Sequence, residues 1–222
     1  MPQGNPVDEN GNIRKFNSPL LHLAYANTKS PTGTILLLPG SNYEVLNLKK
    51  EGEPIAGFLN MEGFDVAILE YHIGLDPKIR EMALPDAIKA FRLLKSSRHK
   101  LGIRGNRLGI MGLSTGGQLA AITVQKLDDK EQPDDLILIN PAYLDKAVLG
   151  TVIPAVLTPI KPTARLFTAF TSNGNKAEMK SCEEYTKTWT GYDGLATFHL
   201  LADTISISGK EANPMPKPGR KR

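Results

Sequence analysis

Residues 109–117 read GIMGLSTGG, one serine between two glycines, with the apolar run RLGIMGL leading into it and GGQLAAITVQKL following it. A strand that turns sharply into a helix while thrusting a side chain outward needs small neighbours, because bulk on either side of the turn would clash. Gly112 and Gly116 supply that space. The pattern predicts a strand, then Ser114 in a strained turn, then a helix whose positive end aims the N–H of Thr115 at a developing oxyanion. The bland alternative for the same residues is a glycine-rich packing turn without chemistry.

Working outward, the chain alternates short apolar runs with longer segments of helical period, the signature of helices covering both faces of a mostly parallel sheet. Strands are expected at 20–25, 34–39, 65–72, 107–113, 136–140, 164–171 and 197–202. Runs such as TILLL and LILI are continuously apolar, which suits strands buried on both faces. Helices are expected at 52–62, with Pro54 in its first turn, and at 84–96, 115–127 and 177–189. Residues 141–162, with prolines at 141, 154, 159 and 162, read as a loop or short cap beside the site.

At 222 residues, 41% of them hydrophobic, the chain fits one domain over 1–209 and a basic tail over 210–222. That tail holds five Lys and Arg against one Glu, which accounts for the whole net charge of +4. The remainder is balanced, so neither nucleic acid nor a membrane is an expected partner, and the tail reads as solvated and disordered. No apolar run is long enough to span a bilayer and no leader is visible, which suits a cytoplasmic protein or a processed secreted one. Cys182 has no second cysteine to pair with and reads as structural. No metal-ligand spacing, phosphate loop or dinucleotide turn is present, so no metal and no cofactor are expected. The oligomeric state stays open.

A second strand ends in a small-residue loop, LLLPGSNY at 36–43. Acyl transfer needs two backbone donors for the oxyanion, and an earlier strand end supplies one of them in this architecture, here Ser41 or Asn42. Read alone, the loop is an ordinary strand-ending turn.

Together PGSNY, EGEPIAGFLNMEGFDVAILEY, GLSTGGQLAA and NPAY resemble α/β-hydrolases of the acetylxylan-esterase and feruloyl-esterase-like group, closely from about Ser18 to Tyr143. The resemblance implies an α/β-hydrolase fold and a serine ester hydrolase. Ser114 falls on the family nucleophile, and Ser41 with Thr115 on its oxyanion donors. Ser41 and Asn42 stand where the family has glycines, Thr115 where it has alanine and Gln118 where it has histidine.

The family's acid and base have no counterparts. In the acid window, FTSNGNKAE at 170–178, stand Asn173, Gly174 and Asn175, and Glu178 is expected to cap or decorate the next helix. Where the family histidine follows the last strand stands Ser206, and His199 lies too early, inside the strand. His22 and His99 read as structural or solvated. His72 ends a strand at the same sheet edge as Ser114, two strands away, and is the one candidate for a surrogate base, against the plainer role of a polar cleft residue. Asp65, Asp76, Asp86 and Asp203 are scattered, with no pairing visible. Two functions follow: an esterase acting on an acylated carbohydrate or similar small ester, or a hydrolase-shaped binding protein that kept its elbow and lost its base.

Overall fold

Seven strands make one sheet in the order β1-β3-β2-β4-β5-β6-β7. They are β1 (Leu20–Ala24), β2 (Gly33–Leu38), β3 (Phe64–Glu70), β4 (Leu108–Leu113), β5 (Asp135–Ile139), β6 (Arg165–Thr171) and β7 (Ala196–Leu201). Only β1 runs antiparallel, against β3. The computed structural model describes residues 4–40, 42–145 and 163–202. Ser41, Asp203, Ser206, most of the expected cap and the 210–222 tail lie outside the described residues.

The helices are α1 (Leu48–Glu51), α2 (Glu53–Met61), α3 (Pro77–Arg80), α4 (Ala83–Ser96), α5 (Thr115–Lys126) and α6 (Lys176–Gly191). Every expected strand and long helix forms, its ends within two residues of the expected ones. The strand expected to reach His72 stops at Glu70, the last residue paired with β1, so His72 sits on the connection beyond it. Helices α1 and α3 escaped the sequence reading because a single turn of four residues carries no periodicity.

Alternation along β2 and β3 assigns successive side chains to opposite cores. Leu36, Leu38, Ala67 and Leu69 join the larger one with Phe91, Leu119, Tyr185 and Trp189 from α4, α5 and α6. Ile35, Leu37, Val66 and Ile68 join the smaller one with Ala56 of α2. Helices thus cover both faces, as the right-handed crossover rule requires for strands added in opposite directions from β2. Cys182 is buried, and burial pushes its thiol up to about 12, consistent with a structural side chain.

The topology also locates the cleft. From β2 the chain goes to β3 on one side and then crosses to β4 on the other, so β2 and β4 flank the point where strand order reverses. Ligands of open α/β sheets bind outside the carboxyl ends of strands at such a point. Gly40 and Ser114 follow those two carboxyl ends. A groove of about 610 Å³ elsewhere is lined by Thr32, Phe64, Asp135 and Arg165, at the amino ends of their strands and away from Ser114.

Candidate active site

Between β4 and α5, Ser114 adopts φ 50° and ψ −120°. A non-glycine residue at positive φ is strained by about 1–3 kcal/mol and persists only where its surroundings hold it. Here they do. The Ser114 N–H donates to Ile139 O at 3.0 Å, while its carbonyl accepts from Gly117 N at 2.9 Å and Ala142 N at 3.0 Å. The residue is partly exposed, between buried Leu113 and buried Thr115.

The flanking glycines are required by backbone, not by side chains. A Cβ on Gly112 would lie 2.2 Å from Gly116 O, and one on Gly116 would lie 2.1 Å from Leu38 O. No rotamer change relieves either contact, so the close approach of β2, β4 and α5 explains both residues.

Two departures from the family pattern meet each other in space. Asn42 N–H donates to Thr115 Oγ1 at 3.0 Å, a bond that an alanine at 115 could not accept. The Asn42 amide, one of the expected oxyanion donors, is therefore engaged by the first residue of α5. Asn42 and Tyr43 both have positive φ, 48° and 59°, which bends the loop back over the elbow. Tyr43 OH lies 3.1 Å from Gln118 Oε1, and Gln118 Nε2 donates to Tyr143 O at 2.6 Å. Gln118 thus ties the β2 loop to the segment after β5.

The acid window is occupied by turn and capping residues. Asn173 is exposed, and Asn175 is the N-cap of α6, its Oδ1 accepting from Ala177 N at 2.9 Å and Glu178 N at 3.3 Å. Replacing Asn175 by alanine removes that cap, and we expect urea unfolding to show a loss of about 1 kcal/mol. Glu178 decorates the first turn of α6.

Among the histidines, His199 lies on β7 with its ring stacked on Phe167 at 4.7 Å, His22 Nε2 pairs with Glu70 Oε1 at 2.5 Å, and His99 is exposed. His72 has a partner that its sequence context concealed. Its Nδ1 is 2.6 Å from Asp86 Oδ2, an oxygen that also accepts the His72 backbone N–H at 2.9 Å. The imidazole is tilted against Phe16, ring centroids 4.3 Å apart. The structure records no hydrogen bond between His72 and Ser114. Asp86 is 7% exposed, so His72→Ala strips a buried carboxylate of one partner; we expect a loss of about 1–3 kcal/mol by urea unfolding.

One carboxylate beside the elbow was not singled out from sequence. A Cβ placed on Gly40 would lie 2.9 Å from Glu51 Oε2, 2.9 Å from Leu113 O and 2.9 Å from Ser114 Cβ. The Glu51 oxygen and the Ser114 Cβ are therefore no more than twice that distance apart. Burial raises the Glu51 carboxyl above its ordinary value, against an opposing hydrogen bond from the Gly40 N–H and the charge of Lys50. Its trace in sequence is the EGEP run that joins α1 to α2.

Comparison with known proteins identifies the fold. Residues 66–190, more than half of the chain, match a family model described as alpha/beta hydrolase fold. The chain belongs to the α/β-hydrolase-fold family. An acetylxylan esterase from Xylanibacter ruminicola is 28% identical over 114 residues, which cover 51% of this chain and 23% of that protein. The match thus spans less than a quarter of that relative. Among solved structures, an acetyl ester-xyloside bifunctional hydrolase from Caldicellulosiruptor lactoaceticus superposes with a TM-score of 0.66 at 21% identity, covering 83% of this chain and 77% of that one. A thermophilic esterase from Thermogutta terrifontis, bound to propionate, gives a TM-score of 0.70 at 16% identity over 84% and 79% of the two chains. At these identities the structural likeness establishes the fold.

Proposed function

We propose that this α/β-hydrolase is a serine carboxylic-ester hydrolase acting on a small ester, with an acetylated xylose-type carbohydrate as the substrate class. The observation that carries the reading is the strained, partly exposed Ser114 at the carboxyl edge of β4, held by three backbone hydrogen bonds. Strain of this kind is kept where a side chain must be presented in one direction. The substrate class is supported by the relatives, one named an acetylxylan esterase and another an acetyl ester-xyloside bifunctional hydrolase.

In this reading Ser114 Oγ attacks the ester carbonyl, and the oxyanion is stabilised by the amides of Thr115 and Ser41, the Asn42 N–H being held by Thr115 Oγ1. The alcohol leaves, and water resolves the acyl-enzyme. With Asn175 capping a helix, the acid window supplies no carboxylate before Glu178, so turnover is slow for the family. Acetate release from acetylated xylo-oligosaccharide, compared between wild type and Ser114→Ala, tests the proposal. Equal rates would leave a binding cleft without chemistry, the reading that the asparagines of the acid window favour.

His72 serves in this scheme by bracing the cleft wall. We expect His72→Ala to lower the Ser114-dependent rate by less than about tenfold, whereas removing a true general base costs about 10²–10⁴-fold.

A further inference from the structure

An activated serine needs a proton acceptor, and none of the four histidines hydrogen-bonds Ser114 among the described residues. Glu51 stands where such a group is needed. Its Oε2 is buried without a hydrogen-bond partner. That atom and the Ser114 Cβ each lie 2.9 Å from the position that a Cβ on Gly40 would occupy. Any residue other than glycine at 40 would place its Cβ in contact with both.

We infer that the Glu51 carboxylate is the proton acceptor of Ser114, working across the gap left by the missing side chain of Gly40. The inference rests on Ser114 being the nucleophile. A base acts within hydrogen-bond reach or through one water, and such contacts tighten when substrate binds. The separation allows either route.

The step balances. The Ser114 O–H bond breaks and its proton passes to Glu51 Oε2 as the Oγ–C bond forms, and the carbonyl π pair moves onto the carbonyl oxygen. The same proton then goes to the leaving alkoxide oxygen as the ester C–O bond breaks. In the second half, water gives a proton to Glu51 while its oxygen attacks the acyl carbon, and that proton returns to Ser114 Oγ as the acyl–enzyme bond breaks. Glu51 is neutral whenever the oxyanion exists, so two negative charges never share the site.

The surroundings set the sign of the pH dependence. From the β2 loop the Gly40 N–H faces the carboxylate, from α1 the exposed Lys50 acts on it, and from the elbow come Leu113 O and Ser114. Burial outweighs the two favourable groups and raises the carboxyl above its ordinary value. The active form is the ionised one, so reactivity rises as pH increases through that raised value and is lost below it.

The experiment is covalent labelling of Ser114 by a fluorophosphonate in the intact protein from pH 4 to 8, for wild type, Ser114→Ala, Glu51→Gln and Glu51→Asp, with melting temperatures alongside. Glutamine keeps an acceptor for the Gly40 N–H and removes only the charge. We expect Glu51→Gln to label about 10²-fold more slowly at pH 7, with no rise across the range and a melting temperature equal to or above wild type. Glu51→Asp should keep the rise. Glu51→Gln labelling within threefold of wild type, with the same pH profile, overturns the assignment while leaving the nucleophile intact. Should Glu51→Gln not fold, a folded Glu51→Asp with a flat profile overturns it equally. Wild type labelling no faster than Ser114→Ala removes the nucleophile itself, and with it the acceptor.

Discussion

Ser114→Ala is expected to slow hydrolysis of p-nitrophenyl acetate by about 10²–10⁴-fold. Removing the nucleophile of a complete serine triad costs about 10⁶-fold. A positioned histidine base is worth about 10²–10⁴ of that. With Glu51 a poorer acceptor than a positioned imidazole, wild type starts lower by about this factor, and the remainder is what the mutation can remove. Because an oxyanion hole and binding alone leave about 10³-fold catalysis over water, weak residual turnover by the variant is compatible with the mechanism. A variant as fast as wild type is not. Initial rates at saturating ester, with protein concentration measured by absorbance, separate the two results.

Gly116→Ala carries the largest expected effect on stability. The new methyl would sit 2.1 Å from Leu38 O and 2.6 Å from Pro39 O, both main-chain atoms at the end of β2. Overpacking a core with side-chain neighbours costs about 1–3 kcal/mol, because those neighbours can repack. Here the strand itself must move, so we expect a loss of more than about 4 kcal/mol, in the range reserved for a few severe mechanisms. The control is Gly57→Ala in α2, where a Cβ meets nothing within 4 Å. That change should stabilise by about 0.5–1 kcal/mol through helix propensity. Urea unfolding of the two variants side by side decides the matter: similar midpoints would mean that β2 and α5 do not approach as closely as the structure has them.

Most of the fold was legible because its signals are local. The continuous apolar run TILLL became β2, buried along its whole length, and the period of ALPDAIKAFRLL became α4, with Ala87, Ala90, Phe91 and Leu94 on its buried face. The elbow was legible for the same reason, since its strand, its glycines and its helix are contiguous. The candidate site was legible only in part. Ser114 and the β2 loop were found, but the environment of each was not, because their partners come from distant segments. Asn42 meets Thr115 at a separation of 73 residues, and Tyr43 meets Gln118 at 75. Asp86 looked like one scattered carboxylate among several. Its pairing with His72, 14 residues earlier, depends on how α4 is set against the end of β3, which no periodicity encodes.

The amino-acid order by itself determined which segments are strands and helices, and that the chain bends at Ser114, because backbone preference and side-chain period act within a few residues. Tertiary structure alone decided what surrounds that bend: which amide Thr115 engages, which carboxylate holds His72, and that Glu51 and the serine both approach Gly40. Those outcomes follow from strand order and from the directions in which side chains leave their elements. Both are fixed only when β2, β3 and β4 come together and the helices close over them.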